Sequence, residues 1–258
     1  MQTGAITSYI DVAQLALYGF WIFFAGLIIY LRREDKREGY PLESERSGRI
    51  VVQGFPAIPR PKTYLLRDGG TRQAPRVEAP GRKLRLRPVG TWPGAPLEPS
   101  GNPMADGVGP ASYVERADVP DLTAEGIVKI VPLRVASDFA IESRDPDPRG
   151  MAVVGADGRQ AGVVRDVWVD RSEVIVRYLE VDLAALGGGR SVLVPMTMVR
   201  VDDRRGQVKV QSILAEQFAG VPGLRNPDQV TLREEDQITA YYGGGQLYAT
   251  PSRLGPLL

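Results

Sequence analysis

The most distinctive pattern in the chain is near its start. From Val12 to Leu31 it reads VAQLALYGFWIFFAGLIIYL, twenty residues without a charge. As a helix this is about 30 Å long, the thickness of a bilayer's hydrocarbon core. The pattern predicts a transmembrane helix over 12–31, preceded by a tail over 1–11. A cleaved signal peptide fits less well, because it has a basic start, a shorter apolar stretch and a small-residue cleavage site. Here the first eleven residues hold no Lys or Arg and one acid, Asp11, and the segment runs into Arg32-Arg33-Glu34-Asp35-Lys36-Arg37. A buried core helix seldom stays uncharged for so long. All nearby cations follow the helix, so the positive-inside rule predicts residue 1 outside and residue 258 in the cytoplasm.

After the helix the pattern loses its period. Residues 32–110 form the next segment, and 41–110 hold 12 of the 21 prolines. Proline lacks the amide hydrogen that ladders and helix interiors use, which predicts an extended, turn-rich stretch poor in regular structure. It nonetheless keeps Phe55, Ile58, Tyr64, Leu65, Leu66, Leu84, Leu86 and Trp92, which a solvated spacer does not require. It is therefore expected to lie ordered against a partner surface, with a disordered linker as the alternative.

From about residue 130, within a domain expected over 111–258, short apolar runs alternate with turn signals. Val153-Val154 precedes Ala156-Asp157-Gly158, and Val192 to Val201 precedes Asp202-Asp203, so this part is expected to be mainly β. Strand alternation puts Ile175, Arg177, Leu179, Val181 and Leu183 on one face, which places Arg177 among apolar neighbours. A guanidinium there requires carboxylate or water partners. Asp170 and Glu173 lie just before it, in a turn read as Asp170-Arg171-Ser172-Glu173. Near the end, Asn226-Pro227-Asp228 reads as a helix start, with the helix carrying Val230, Leu232, Ile238 and Glu234-Glu235-Asp236 and stopping near Gly243-Gly244-Gly245. The glycine run is not a phosphate loop, lacking the strand-to-helix setting and the following Lys-Ser/Thr.

Composition narrows the chemistry. The chain of 258 residues has no Cys and no His. Disulfides, thiolate nucleophiles, an imidazole base, a Ser/His/Asp triad and His/Cys zinc or copper sites are all excluded. Proton chemistry is left to carboxylates, Lys, Tyr and water. With 32 Lys+Arg against 31 Asp+Glu, the net charge of +1 speaks against wholesale nucleic-acid binding. The 29 Gly and 21 Pro point away from a helical bundle, while 43% hydrophobic residues suffice for a globular core of one or two domains.

Several blocks then carry a resemblance. They are LRREDKREGYPLE (31–43) after the apolar helix, GNPMADGVGPASY (101–113), KIVPLRVA (129–136), DPRGMAVVGADG (147–158) and LREEDQITAYYGGGQLYAT (232–250). In this order they closely resemble the H subunit of the photosynthetic reaction centre of purple bacteria. Residues from about 150 to 210 also resemble the wider PRC-barrel family, through Ala156-Asp157-Gly158, Gly162, Asp166 to Asp170 and Leu193-Val194-Pro195.

The resemblance implies a single N-terminal transmembrane α-helix plus a mainly-β, PRC-barrel-like cytoplasmic domain with a C-terminal helix. It implies a bacterial inner (intracytoplasmic) membrane location and the L and M subunits as partners, with membrane lipid, an antenna ring and a bound cytochrome around them and no nucleic acid. It implies no catalysis and no cofactor on this chain alone; bacteriochlorophyll, bacteriopheophytin, quinones and non-haem iron are expected in the partner subunits. The family's roles are support of the L/M core, shielding of the quinone region and proton delivery to the secondary quinone. Asp170, Glu173 and Arg177 occupy the family segment WVDxxE…R near that quinone, which implies a proton-transfer role for them; the other reading is a solvated turn with a structural salt bridge. Family members carry surface histidines where protons first arrive, but this chain reads Asp121-Leu-Thr-Ala-Glu125-Gly-Ile there, which leaves Glu125 as the substitute. Two rival readings are a membrane-tethered PRC-barrel adaptor that recruits a cytoplasmic partner, and an independent membrane enzyme, for which only scattered carboxylates speak.

Overall fold

A computed structural model describes residues 11–40, 42–43, 50–52, 54–75, 82–92, 94–184 and 189–254. Apart from Asp11, the tail expected over 1–11 lies outside the described residues. Backbone contacts divide the chain into two units, Met1–Arg82 with Gly90–Ala95, and Lys83–Val89 with Pro96–Leu258.

The first unit starts with α1 (Val12–Asp35), whose apolar side chains are all exposed apart from partial cover at one position. Its length and composition suffice to cross a membrane. Asp11 caps it, accepting from the Gln14 amide at 2.8 Å while Gln14 Oε1 accepts from the Asp11 amide at 3.3 Å. The helix continues one turn past Leu31, where Arg32 and Arg33 sit favourably at the negative end of the helix dipole. The charged residues that follow tie down the proline-rich backbone. Lys36 is buried and donates to the Pro56 carbonyl at 2.6 Å, and Arg37 donates to the Arg60 and Ala74 carbonyls, both at 2.9 Å. Carbonyls that a ladder would otherwise satisfy thus meet cations. Among the described residues that follow α1 in this unit, regular structure is confined to short antiparallel pairs, β1 (Leu42–Glu43) with β2 (Ile50–Val52) and β3 (Lys62–Leu65) with β4 (Thr71–Ala74).

The second unit opens with the hairpin of β5 (Leu86–Pro88) and β6 (Leu97–Pro99), then the single turn α2 (Pro103–Asp106). Its centre is a seven-stranded sheet built from β7 (Ile130–Pro132), β8 (Ala152–Val154), β9 (Gln160–Asp170), β10 (Ile175–Asp182), β11 (Ser191–Pro195), β12 (Val199–Asp202) and β13 (Gln207–Val210). The path runs β11-β10-β9-β8-β13-β12, with β7 on the far end of β9; β8 and β13 pair in parallel and the other pairs are antiparallel. The run expected from Val192 to Val201 is two strands. A 3-10 turn over Met196–Met198 follows Pro195, whose missing amide cannot extend the ladder. Val153, Val167, Trp168, Leu179, Leu193, Val208, Phe218, Ile238 and Tyr242 form the core.

The C-terminal helix α3 (Leu232–Tyr248) differs from expectation at both ends. Asn226-Pro227-Asp228 forms a turn in which Asn226 Oδ1 accepts from the Asp228 amide at 2.9 Å. The helix starts five residues later because Thr231 and Glu234 make a reciprocal capping box, at 3.2 and 2.9 Å. It also runs through Gly243-Gly244-Gly245. A Cβ on Gly244 would stand 2.5 Å from the Ala111 Cβ, and one on Gly245 would stand 2.5 Å from the Ser212 carbonyl oxygen. The glycines let the helix lie close on neighbouring backbone, and this packing outweighs a propensity penalty of about 1 kcal/mol each. Gly245→Ala should therefore destabilise the chain by about 1–3 kcal/mol in chemical denaturation, despite the better helix former. A gain in stability would show that the close approach is slack.

Candidate functional site

The end of β9, the turn over 171–174 and the start of β10 bring three of the four expected residues together. Asp170 is 0% exposed. Its Oδ1 accepts from the Ser172 and Glu173 amides at 2.9 and 3.1 Å, and its Oδ2 accepts from Arg177 Nε at 3.2 Å. Arg177 also reaches Glu173 Oε2 at 2.8 Å, and the Glu173 side chain remains 49% exposed. Burial pushes the Asp170 carboxyl up, but the Glu173 amide, the Arg177 guanidinium, the Ser172 amide and the Lys129 charge together hold it below the usual range. Asp170 is thus a fixed anion that organises the turn, and Glu173 is the carboxylate that meets the outside.

Arg177 does not sit squarely on the apolar face. Val176 pairs with Val169 and Tyr178 with Trp168, so Arg177 is an extra residue in β10. This bulge breaks the alternation and turns the side chain out to the carboxylates. Beyond it, Tyr178 to Val181 are buried on both faces.

A residue that strand and turn patterns do not single out completes the cluster. Lys129 Nζ stands 3.6 Å from Asp170, 3.8 Å from Glu173 and 3.5 Å from Asp121. Pairing of Ile130 with Asp170 in the β7–β9 ladder brings it there. Burial opposes the Lys129 charge, yet the surrounding acids raise its pKa. The only hint in the sequence is a lone cation directly before the apolar run Ile130-Val131. Behind the cluster, Tyr178 donates to Glu235 Oε2 at 3.0 Å, and burial raises the Glu235 carboxyl despite the pull of Tyr178, Arg116 and Arg177. Glu125 stands apart from these groups, at the tip of the hairpin whose base is Asp121 and Lys129. A hydrogen bond with the Thr123 hydroxyl lowers its pKa.

Apolar side chains are exposed on the two segments that carry the cluster. Val174 is 69% exposed and is held at φ 55°, a conformation that costs a β-branched residue about 1–3 kcal/mol. Ile175, Leu122 and Ile127 are exposed beside it in sequence or across the hairpin.

A second charged network is centred on Arg134. Arg134 donates to Glu180 Oε2 at 2.6 Å, Asp166 Oδ2 at 3.0 Å, Asp228 Oδ1 at 3.0 Å and the Pro227 carbonyl at 2.5 Å. Trp168 Nε1 donates to the same Glu180 oxygen at 3.0 Å. Asp166 and Glu180 are both buried, and this satisfied network joins the sheet to the segment before α3. Among the described residues no group of three or more acids converges as a metal site.

Comparison with known proteins adds two matches along the chain. Residues 4–135, just over half of it, match the photosynthetic reaction centre H-chain N-terminal region, and residues 140–214 match the PRC-barrel domain. An uncharacterised protein of Deinococcus radiodurans is 31% identical over 116 residues, 42% of this chain and 42% of that protein. The chain thus spans less than half the length of the curated relative it matches.

Proposed function

The chain belongs to the photosynthetic reaction-centre H-chain family, and from that premise we propose that it is the pigment-free subunit that caps the L and M subunits of a light-driven quinone-reducing complex. In this reading α1 anchors it in the bacterial inner membrane with the basic end cytoplasmic, and its second unit shields the quinone region and supports proton delivery to the secondary quinone. The observation that carries the reading is the partly buried cluster of Asp170, Glu173, Arg177 and Lys129 on segments that also expose Leu122, Ile127, Val174 and Ile175. Exposed apolar side chains suit a covering protein surface, and a mixed-charge centre suits ordered water between the two.

Each residue has a distinct task. Asp170 stays ionised and holds Arg177 and the Glu173 amide in place. Glu173, facing outward, takes up and releases the proton, while Arg177 and Lys129 hold its side chain beside Asp170. Glu235, with its raised pKa, is a reservoir one side chain behind, and Glu125 lies at the hairpin tip as a point of first uptake. The family's pigments, quinones and iron belong to the partner subunits in this reading.

Glu173→Gln tests it, because the amide keeps the shape but carries no proton. In the assembled complex, flash-induced proton uptake and quinol formation should slow by about tenfold while initial charge separation is unchanged. Unaltered proton uptake at neutral and alkaline pH would leave Glu173 with a structural role. A full chain that purifies from its native membrane without bacteriochlorophyll or quinone absorption would favour the tethered-adaptor reading instead.

A further inference from the structure

A cavity of about 410 Å³ lies away from the cluster, between the β12–β13 pair and the last turns of α3. Three cations line it, Arg200, Lys209 and Arg253, together with Gln211, Ser212 and Gln246, and no Asp or Glu is among its lining residues. Arg200 and Lys209 stand directly opposite each other in the antiparallel register. Like charges in that position destabilise a sheet. Lys209 is relieved by Asp202 at 2.9 Å, but among the described residues no carboxylate pairs with Arg200. Arg253 spends its donors on the Ser212, Gly245 and Gln211 carbonyls, which leaves its charge without a counter-anion.

The neutral groups are also underused. The Ser212 hydroxyl is buried and has no hydrogen-bond partner among the described residues. The Gln246 amide donates to the Met198 sulfur at 3.4 Å, a weak acceptor. An Arg200 without a carboxylate, a buried hydroxyl without a partner and an amide on a weak acceptor, gathered from three elements around one cavity, suit an oxyanion with several acceptor directions.

We propose that this cavity binds a phosphate-bearing anion, with Arg200 as the principal charged contact and Lys209, Gln211, Ser212 and Gln246 around it. A phosphate ester answers both the net positive lining and the surplus donors, and the volume exceeds what a bare ion fills. The ester is either a lipid headgroup or a soluble phosphorylated compound. The site is separate from the proton cluster and does not depend on quinone chemistry.

The full-length chain in phosphatidylcholine nanodiscs tests the proposal. Inorganic phosphate is titrated in one arm, and phosphatidylglycerol replaces part of the lipid in the other, with the thermal midpoint and phosphorus NMR line width as readouts. Response to inorganic phosphate assigns a soluble ligand, and response to phosphatidylglycerol alone assigns a headgroup. Arg200→Gln should weaken the responding arm by at least about tenfold without lowering the unliganded midpoint, since it removes a like-charge pair. Arg200→Lys should recover part of the binding, and Ser212→Ala should weaken it without loss of fold. Silence in both arms, or equal binding by Arg200→Gln and the native chain, overturns the proposal.

Discussion

Arg134→Leu is expected to destabilise the full-length chain by about 3–5 kcal/mol, the largest single effect anticipated here, because it strands two buried carboxylates. Asp166 and Glu180 both sit within hydrogen-bonding distance of the Arg134 guanidinium, and among the described residues the other side-chain partners of Glu180 are the Trp168 indole and the more exposed Arg165 at 3.5 Å. Removing the cation takes away the main counter-charge of both, leaving Asp166 with backbone amides and Glu180 with the indole and Arg165. The variant also loses the links to Asp228 and the Pro227 carbonyl, which hold the approach to α3. Urea denaturation of the detergent-solubilised chain, followed by circular dichroism, measures the loss. Combining Arg134→Leu with Glu180→Leu should restore part of the stability, since an apolar replacement on both sides removes the stranded charge. A single-variant loss below about 1 kcal/mol would mean that water reaches both acids.

Asp170→Asn should cost about 2–4 kcal/mol and change the acid limb of stability. The amide oxygen can still accept from the Ser172 and Glu173 amides, but its NH2 faces Arg177 and Lys129, which offer only donors. The pH dependence follows from the lowered pKa of Asp170. A carboxyl whose folded pKa lies below its unfolded value, about 3.9, adds stability that is fully present above that value. The contribution is lost as pH falls through the folded pKa. The native chain should therefore lose this part below about pH 4, while Asp170→Asn lacks it throughout and shows a flatter acid limb. Parallel curves for the two proteins would remove Asp170 from the role of fixed anion. Comparison with Glu173→Gln separates the tasks, since the half-exposed Glu173 should affect proton uptake far more than stability.

Most of the architecture could be read locally. The membrane helix follows from an uncharged run whose length matches a bilayer, and its start at Val12 agrees because Asp11 and Gln14 form a capping box within four residues. The mainly-β character of the second unit follows from short apolar runs between turn residues. The start of α3 was equally legible, since Thr231 and Glu234 have the spacing of a capping box, but Asn226-Pro227 offered a competing signal of the same kind. Asp170, Glu173 and Arg177 lie within eight residues, so one turn was enough to suggest that they meet.

Other features depended on contacts between distant segments. Alternation put Arg177 on an apolar face; a bulge set by pairing with β9 turned it outward, and no property of β10 alone encodes that register. Helix propensity stopped α3 at its glycines; close packing on Ala111 and Ser212 carries it through them. Lys129 joined the cluster because β7 pairs with the end of β9, and Arg200 met Lys209 because β12 pairs with β13. Hydropathy, capping and turn chemistry act over a few neighbouring residues and so are written in the sequence. Register, close backbone approach and charge proximity exist only once remote strands have paired, and that pairing builds both the Asp170 cluster and the cationic cavity.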